Sequence, residues 1–193
     1  MLRTITFLVA IIFATNLYAQ RDRTYVPDMP YDKNGQINYT EVMHIGDVSK
    51  EQFYFRAKAW FTETFRNANE VIQMDSKAAG TVIGKGNRNV YLETAFAPVE
   101  VTLHYTVKIF CKDGRYKYEI TDMVYSGWVE GYRWEENVES MFTEESIYKK
   151  NGKTRWKWVQ YMQLTEESCE ELIESIKKRM AKEIGMSSGG DDW

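Results

Sequence analysis

Residues 99–125 constrain this chain most: a long alternation of apolar and polar side chains, broken once by Asp113-Gly114. Val101, Leu103, Tyr105, Val107, Ile109 and Cys111 alternate with Thr102, His104, Thr106 and Lys108, the period-two pattern of a half-buried strand. The chain returns with Tyr116, Tyr118 and Ile120 alternating with Lys117, Glu119 and Thr121. Asp-Gly suits the positive φ angles of a two-residue type I′ turn. That turn predicts Ile109 opposite Tyr118 and Val107 opposite Ile120 on the apolar face. On the polar face it sets Lys108 against Glu119 and Thr106 against Thr121, both favourable cross-strand pairs.

Two helical patterns offer the apolar stripes that could cover such a face. Ser49 and Gln52 spell a capping box, with Val48 and Phe53 as its hydrophobic staple. Phe53, Ala57, Trp60, Phe61, Thr64, Phe65 and Ala68 then fall on one stripe, Phe55 points away, and 67–69 closes the helix. Near the other end Thr165 reads as a helix N-cap, with Glu166 and Glu167 at the positive pole and Lys177, Lys178, Arg179 and Lys182 toward the negative one. Cys169, Leu172, Ile173, Ile176, Met180 and Ile184 form its apolar side.

The remaining stretches are shorter. Residues 36–45 alternate as a strand interrupted by Glu41, and 71–74 with 81–83 suggest a second hairpin. Gly84 and Gly86 predict a bend or bulge before 90–92. They lack the Gly-Lys-Ser/Thr ending of a phosphate loop. Residues 135–147 read as a short helix or an acidic strand, and Asn151-Gly152 as a further hairpin leading into Trp156-Lys157-Trp158. The expected layout is a signal at 1–19, an irregular lead-in at 20–35, one domain at 36–185 and a loose tail at 186–193.

Arg3, the apolar run from 5 to 14 and Ala19 predict an export signal cleaved before Gln20, although Leu17 is large for its place. The run is shorter than the ~20 residues that span a bilayer. No Cys stands at the cut, so the expectation is a periplasmic or secreted chain rather than a lipoprotein. Without the signal, 24 basic residues face 28 acidic ones, a net charge of −4 that disfavours a nucleic-acid partner. Cys111 and Cys169 are the only cysteines. Export makes a bridge between them chemically possible, while two separate buried thiols satisfy the pattern equally.

In order, the chain reads strand, aromatic helix, antiparallel strands, closing helix. Together with the strand ending at Ser49, the Phe53-Tyr54 and Trp60-Phe61 pairs, and the Lys112-Asp113-Gly114-Arg115-Tyr116 turn, this order resembles an exported bacterial family of unknown function with a TBP-like fold. The resemblance implies an α+β domain: a curved antiparallel sheet backed by an aromatic N-terminal helix and a C-terminal helix. It brings no activity, and a shared fold carries no DNA binding across. Periodicity alone also admits a helix-grip arrangement, with the sheet wrapped around the closing helix.

Chemistry is sparse. Two His and two Cys, with no paired metal-ligand spacing, predict neither a metal site nor a cofactor. His44 and His104 lack a nucleophile motif around them. The segment richest in tryptophan supplies candidate ligand-binding residues: Trp128, Tyr132, Trp134, Trp156 and Trp158, interleaved with Arg133, Arg155 and Lys157. These could stack on sugars or aromatic ligands, or pack as core. The leading expectation is a non-catalytic envelope module that binds a protein, peptide or glycan. The alternatives are a glycan hydrolase using Glu135, Glu136, Glu139, Glu144 and Glu145, and a structural protein that self-associates.

Overall fold

The computed structural model describes residues 21–182, so the signal, Ile184 and the tail lie outside it. In chain order the elements are β1 (Tyr39–His44), α1 (Lys50–Thr64), α2 (Ala68–Val71), β2 (Ile72–Ser76), β3 (Thr81–Leu92), β4 (Val99–Lys112), β5 (Arg115–Val129), β6 (Tyr132–Asn137), α3 (Val138–Met141), α4 (Glu144–Ile147) and α5 (Trp156–Ala181). The strands form one antiparallel sheet in the order β1-β5-β4-β3-β2. β6 also pairs with β5, following β1 along its outer side.

The β4–β5 register is the one the Asp-Gly turn predicts, pairing Ile109 with Tyr118, Val107 with Ile120, Lys108 with Glu119 and Thr106 with Thr121. The turn itself differs from the expected type. Gly114 has φ +71° but Asp113 is not left-handed, so the type I′ requirement of two positive φ angles is unmet. Asp113 instead uses its carboxylate to accept the Lys50 N–H at 2.7 Å, at the first residue of α1. Gly114 donates to the Val48 carbonyl, and its own carbonyl accepts from Ile45. The hairpin tip thus holds the start of the first helix. Both positive angles occur at Glu130 and Gly131, the β5–β6 turn.

Simple alternation fails at one point. His104 faces Val124 while Thr106 faces Thr121, so Tyr105 stands against two residues, Asp122 and Met123. Asp122 takes φ +53° to accommodate the extra residue. Before this bulge Tyr116, Tyr118 and Ile120 are buried; after it Met123 and Tyr125 are. Without the extra residue, the second half of β5 would turn its apolar side chains outward.

α1 and α5 cover the inner face and pack on one another. The Ser49–Gln52 capping box forms in both directions. Phe53, Ala57, Trp60 and Phe61 are buried as the stripe predicts. Thr64 is exposed, and the helix stops there rather than at 67–69. Gly84 and Gly86 make neither bend nor bulge in β3; the register shift lies in β2, between Ile72 and Met74, opposite Ile83 and Gly84. A Cβ on Gly84 would collide with Phe61 and one on Gly86 with Phe65 and Tyr105. The two glycines are the floor on which the helix's aromatic rings rest.

α5 begins nine residues before the predicted cap, at Trp156. Thr165 sits inside it, donating to the Tyr161 carbonyl at 2.8 Å and meeting the Tyr125 hydroxyl at 3.1 Å. The tryptophan alternation read as a strand is overruled by tertiary contacts. Val159 and Met162 enter the core, and Tyr161 packs edge-on against Tyr125 at 4.7 Å. Residues 149–152 form a turn closed by a single bridge from Tyr148 to Thr154, not a full hairpin. Residues 135–147 hold both suggested structures, the end of β6 followed by α3 and α4. Since α1 and α5 share one face, α5 is not enclosed as a helix-grip requires.

Three contacts tie α5 down. Buried Arg56 of α1 donates to the Met180 carbonyl at 2.6 Å, placing its cation at the negative end of α5. Gln163 donates to the carbonyls of Asp22 and Tyr25, strapping the lead-in to the helix. Glu41, the polar interruption in β1, pairs with Lys177 at 2.7 Å and accepts from Tyr118 at 2.9 Å. Its Lys177 partner, and then Tyr118, hold the Glu41 carboxyl below the usual carboxylate range.

Cys111 and Cys169 are both buried and free, and burial pushes each thiol up to about 12. Ellman's reagent at neutral pH should find two thiols per chain after unfolding and essentially none before. Trp60 is buried and donates to the Ser175 hydroxyl at 2.9 Å, so Trp60→Ala should cost about 3–5 kcal/mol in denaturant melts. A depressed carboxyl stabilises fully above its unfolded pKa, near 4.3, and progressively less as pH falls through its folded value. Glu41→Gln should therefore flatten the loss of stability in acid titration between roughly pH 5 and 3.

Candidate functional site: two clefts that share Glu93

Only the first part of β3 has a strand on its outer side, since β2 reaches no further than Gly84. From residue 85 to 92 no further strand lies beyond β3 among the described residues. A cleft of about 920 Å³ follows this stretch. Its strand wall includes consecutive residues, Arg88 to Tyr91, which alternate between the two faces of the sheet. A cavity lined by both faces runs along the strand's edge. Leu164, Glu167, Ser168 and Glu171 of α5 form the opposite wall.

Charge pairs cross the cleft. Arg88 reaches Glu171 at 2.5 Å, linking strand to helix. Arg21, from the lead-in, grips Glu167 with two nitrogens at 2.8 and 3.1 Å and stands 4.0 Å from Glu93. On the outer face Thr102 donates to Asn89, while Asn89 and Tyr91 donate to Glu100 at 3.2 and 2.6 Å. The exposed strand is thus held straight against β4. An edge of this kind presents N–H and C=O groups outward from alternate residues.

A second cleft, about 410 Å³, opens on the other side of Glu93. Leu92, Val99, Val101, Trp134, Trp156 and Tyr161 give it an apolar lining. Gln160, in the lining of this second cleft, clamps the Glu93 backbone, accepting its N–H at 2.7 Å and donating to its carbonyl at 3.1 Å.

Of the five aromatic candidates, the fold brings Trp128, Trp134 and Trp156 to this second cleft. Trp134 and Trp156 are half-buried and Trp128 is 70% exposed. Trp134 pairs across the strands with Gly127, where a Cβ would collide with its ring. Arg23 covers Trp156 at 5.2 Å. Trp158 packs beside Tyr161 at 6.0 Å with Lys157 above it. Tyr132, 79% exposed, stands at the β5–β6 turn and lines neither cleft. Arg88, Glu93, Gln160 and Glu171 escaped sequence reading because their meeting depends on where β2 stops and where α5 starts.

The carboxylates proposed for hydrolysis are dispersed in role. Glu135 pairs with Arg133 at 3.0 Å, and Glu136, the next residue along β6, belongs to the opposite face. Glu139 accepts the Ile37 N–H at 2.9 Å. Glu144 and Glu145 sit in the first turn of α4. His104 Nε2 meets the nearly buried Ser126 hydroxyl at 2.8 Å on the outer face. Among the described residues no three His, Cys, Asp or Glu side chains are grouped to hold a metal ion. No described helix is long and apolar enough to cross a membrane.

Residues 39–126 match a family model described as a domain of unknown function (DUF4468) with TBP-like fold. A crystal structure of a DUF4468 family protein from Bacteroides ovatus is similar at TM-score 0.68 and 17% identity, covering 84% of this chain and 97% of that one. A TBP-like protein from Parabacteroides distasonis is similar at TM-score 0.65 and 17% identity, covering 79% and 97%. No curated protein matches the chain. The antiparallel sheet with both long helices on one face is the TBP-like fold of these structures, and residues 39–126 are the part of the chain that matches the DUF4468 family model.

Proposed function

We propose that the chain is a non-catalytic, exported binding module of the bacterial cell envelope whose ligand is an extended segment of another protein or peptide. One observation carries the reading: the unpaired outer edge of β3 over 85–92, with α5 as the facing wall of the adjoining cleft. A strand and a helix separated by a cleft accept a peptide by strand addition, the backbone supplying affinity and the flanking side chains supplying choice.

The magnitudes assign the division of labour. Eight edge residues turn about four sets of backbone groups outward, and each backbone hydrogen bond adds roughly 0.5–1.5 kcal/mol net. Those eight or so bonds give about 4–12 kcal/mol before the cost of association, itself about 4–15 kcal/mol, so the backbone alone falls short of the roughly 8 kcal/mol net that micromolar binding needs. Leu164 and the Arg88–Glu171 and Arg21–Glu167 pairs would supply the rest, and would select peptides carrying both charges around an apolar residue.

The pattern at 1–19 supports export to the periplasm or beyond, without a lipid anchor. Hydrolysis gains little support from carboxylates that cap, brace and pair within the fold. Peptides selected from a random display library should slow amide exchange at alternate positions between 85 and 92. Charge reversal at Glu171 (Glu171→Lys) should weaken them by roughly tenfold, about 1.4 kcal/mol. Selected ligands that protect only the Trp134–Trp156 cleft would overturn the edge reading in favour of an aromatic or glycan ligand.

A further inference from the structure

Two turns project from one end of the sheet, and both carry bare apolar side chains. The β3–β4 turn presents Phe96, 100% exposed, and the β5–β6 turn presents Trp128, Val129 and Tyr132. Extending the β4–β5 register beyond Thr102–Ser126 by three residues brings Val99 level with Val129, so the turns are neighbours. The second cleft lies between them, bordered by Thr94 on one side and Trp128 on the other. The Phe96 turn is held in place: the Thr94 hydroxyl donates to the Ala97 carbonyl at 2.7 Å, and Pro98 follows. The turn thereby presents the Phe96 ring outward at the tip.

The segment that leads into α5, which starts at this end, is locally basic, although the chain as a whole is acidic. Lys149, Lys150, Lys153, Arg155 and Lys157 fall within nine residues, and none makes a salt bridge among the described residues. Arg155 is the N-cap of the 26-residue α5, and Lys157 lies in a first turn that contains no acidic residue. Cations there oppose the helix dipole, so helix stability does not explain them. Trp156 and Lys157 line the cleft between the two tips, placing the start of this cationic helix beside them.

We infer that this end docks on an anionic lipid bilayer. Trp128 and Tyr132 enter the interfacial layer, where aromatic side chains with polar edges are favoured, and Phe96 buries its apolar ring at the acyl boundary beside them. The cations at 149–157 meet the headgroups. Two protruding tips with a cleft between them suit a soft, penetrable surface better than the flat contiguous patch of a protein interface. Glu130, between Val129 and Gly131, is the carboxylate on the inserting turn and opposes binding.

Phe96 and Tyr132 line neither cleft, so their replacement tests docking without touching the peptide groove. The probe is co-sedimentation of the chain expressed from Gln20 with vesicles of phosphatidylglycerol and phosphatidylethanolamine, against vesicles of phosphatidylcholine alone. Docking predicts binding to the anionic vesicles, release by salt, and weakening of roughly tenfold in the Phe96→Ser/Tyr132→Ser double variant. Glu130→Lys should tighten binding several-fold. The proposal is overturned if anionic vesicles leave the chain in solution, or if the double variant binds as well as the parent. It is equally overturned if light scattering finds oligomers without lipid that the double variant abolishes, for then the tips serve a second copy.

Discussion

The inner face of the β4–β5 hairpin has to be covered, and the rest of the molecule follows from how that is done. Leu103, Val107, Ile109, Tyr118, Ile120 and Tyr125 are buried together across two strands. At about 25 cal/mol per Å² of apolar surface, leaving such a face in water would outweigh the stability of a small domain. One helix is too narrow for the task, so α1 and α5 share it. The bulge at Asp122 and Met123 keeps the face continuous along the whole of β5. With both long helices on one side, the polar outer face is left without a helical cover, and the short β2 leaves two thirds of β3 bare.

Whatever depended on local spacing was legible in the sequence. The β4–β5 register, the Ser49 capping box and the buried stripe from Phe53 to Phe61 all rest on neighbours a few residues apart. The illegible features were decided by contacts between distant segments. Trp156-Lys157-Trp158 has a strand-like alternation, yet Gln160 and Gln163 find backbone partners at Glu93 and in the lead-in that only a helix could reach. Thr165 has the chemistry of a cap and is used instead to fasten α5 to Tyr125. Asp113 was read for its backbone conformation, whereas its side chain holds α1.

The candidate site divides in the same way. Trp134 and Trp156 do converge, because β6 and the first turn of α5 meet at the end of the sheet. Trp158 and Tyr132 were indistinguishable from them by composition, but helix phase turns one onto Tyr161 and the hairpin tip leaves the other in water. The edge groove had no signature, since an unpaired strand is defined by a neighbour that stops short. Edge cleft, aromatic cleft and projecting tips meet around Glu93 and the loop after it. A ligand in the groove and a membrane beneath the tips would engage separate residues.

Amide hydrogen exchange on the free chain tests the central claim directly, that β3 keeps an open edge. With the edge open, between residues 85 and 92 the amides paired with β4 exchange slowly while the alternate, outward amides exchange fast. Slow exchange at every position in that stretch would contradict it, because the edge would then already be covered.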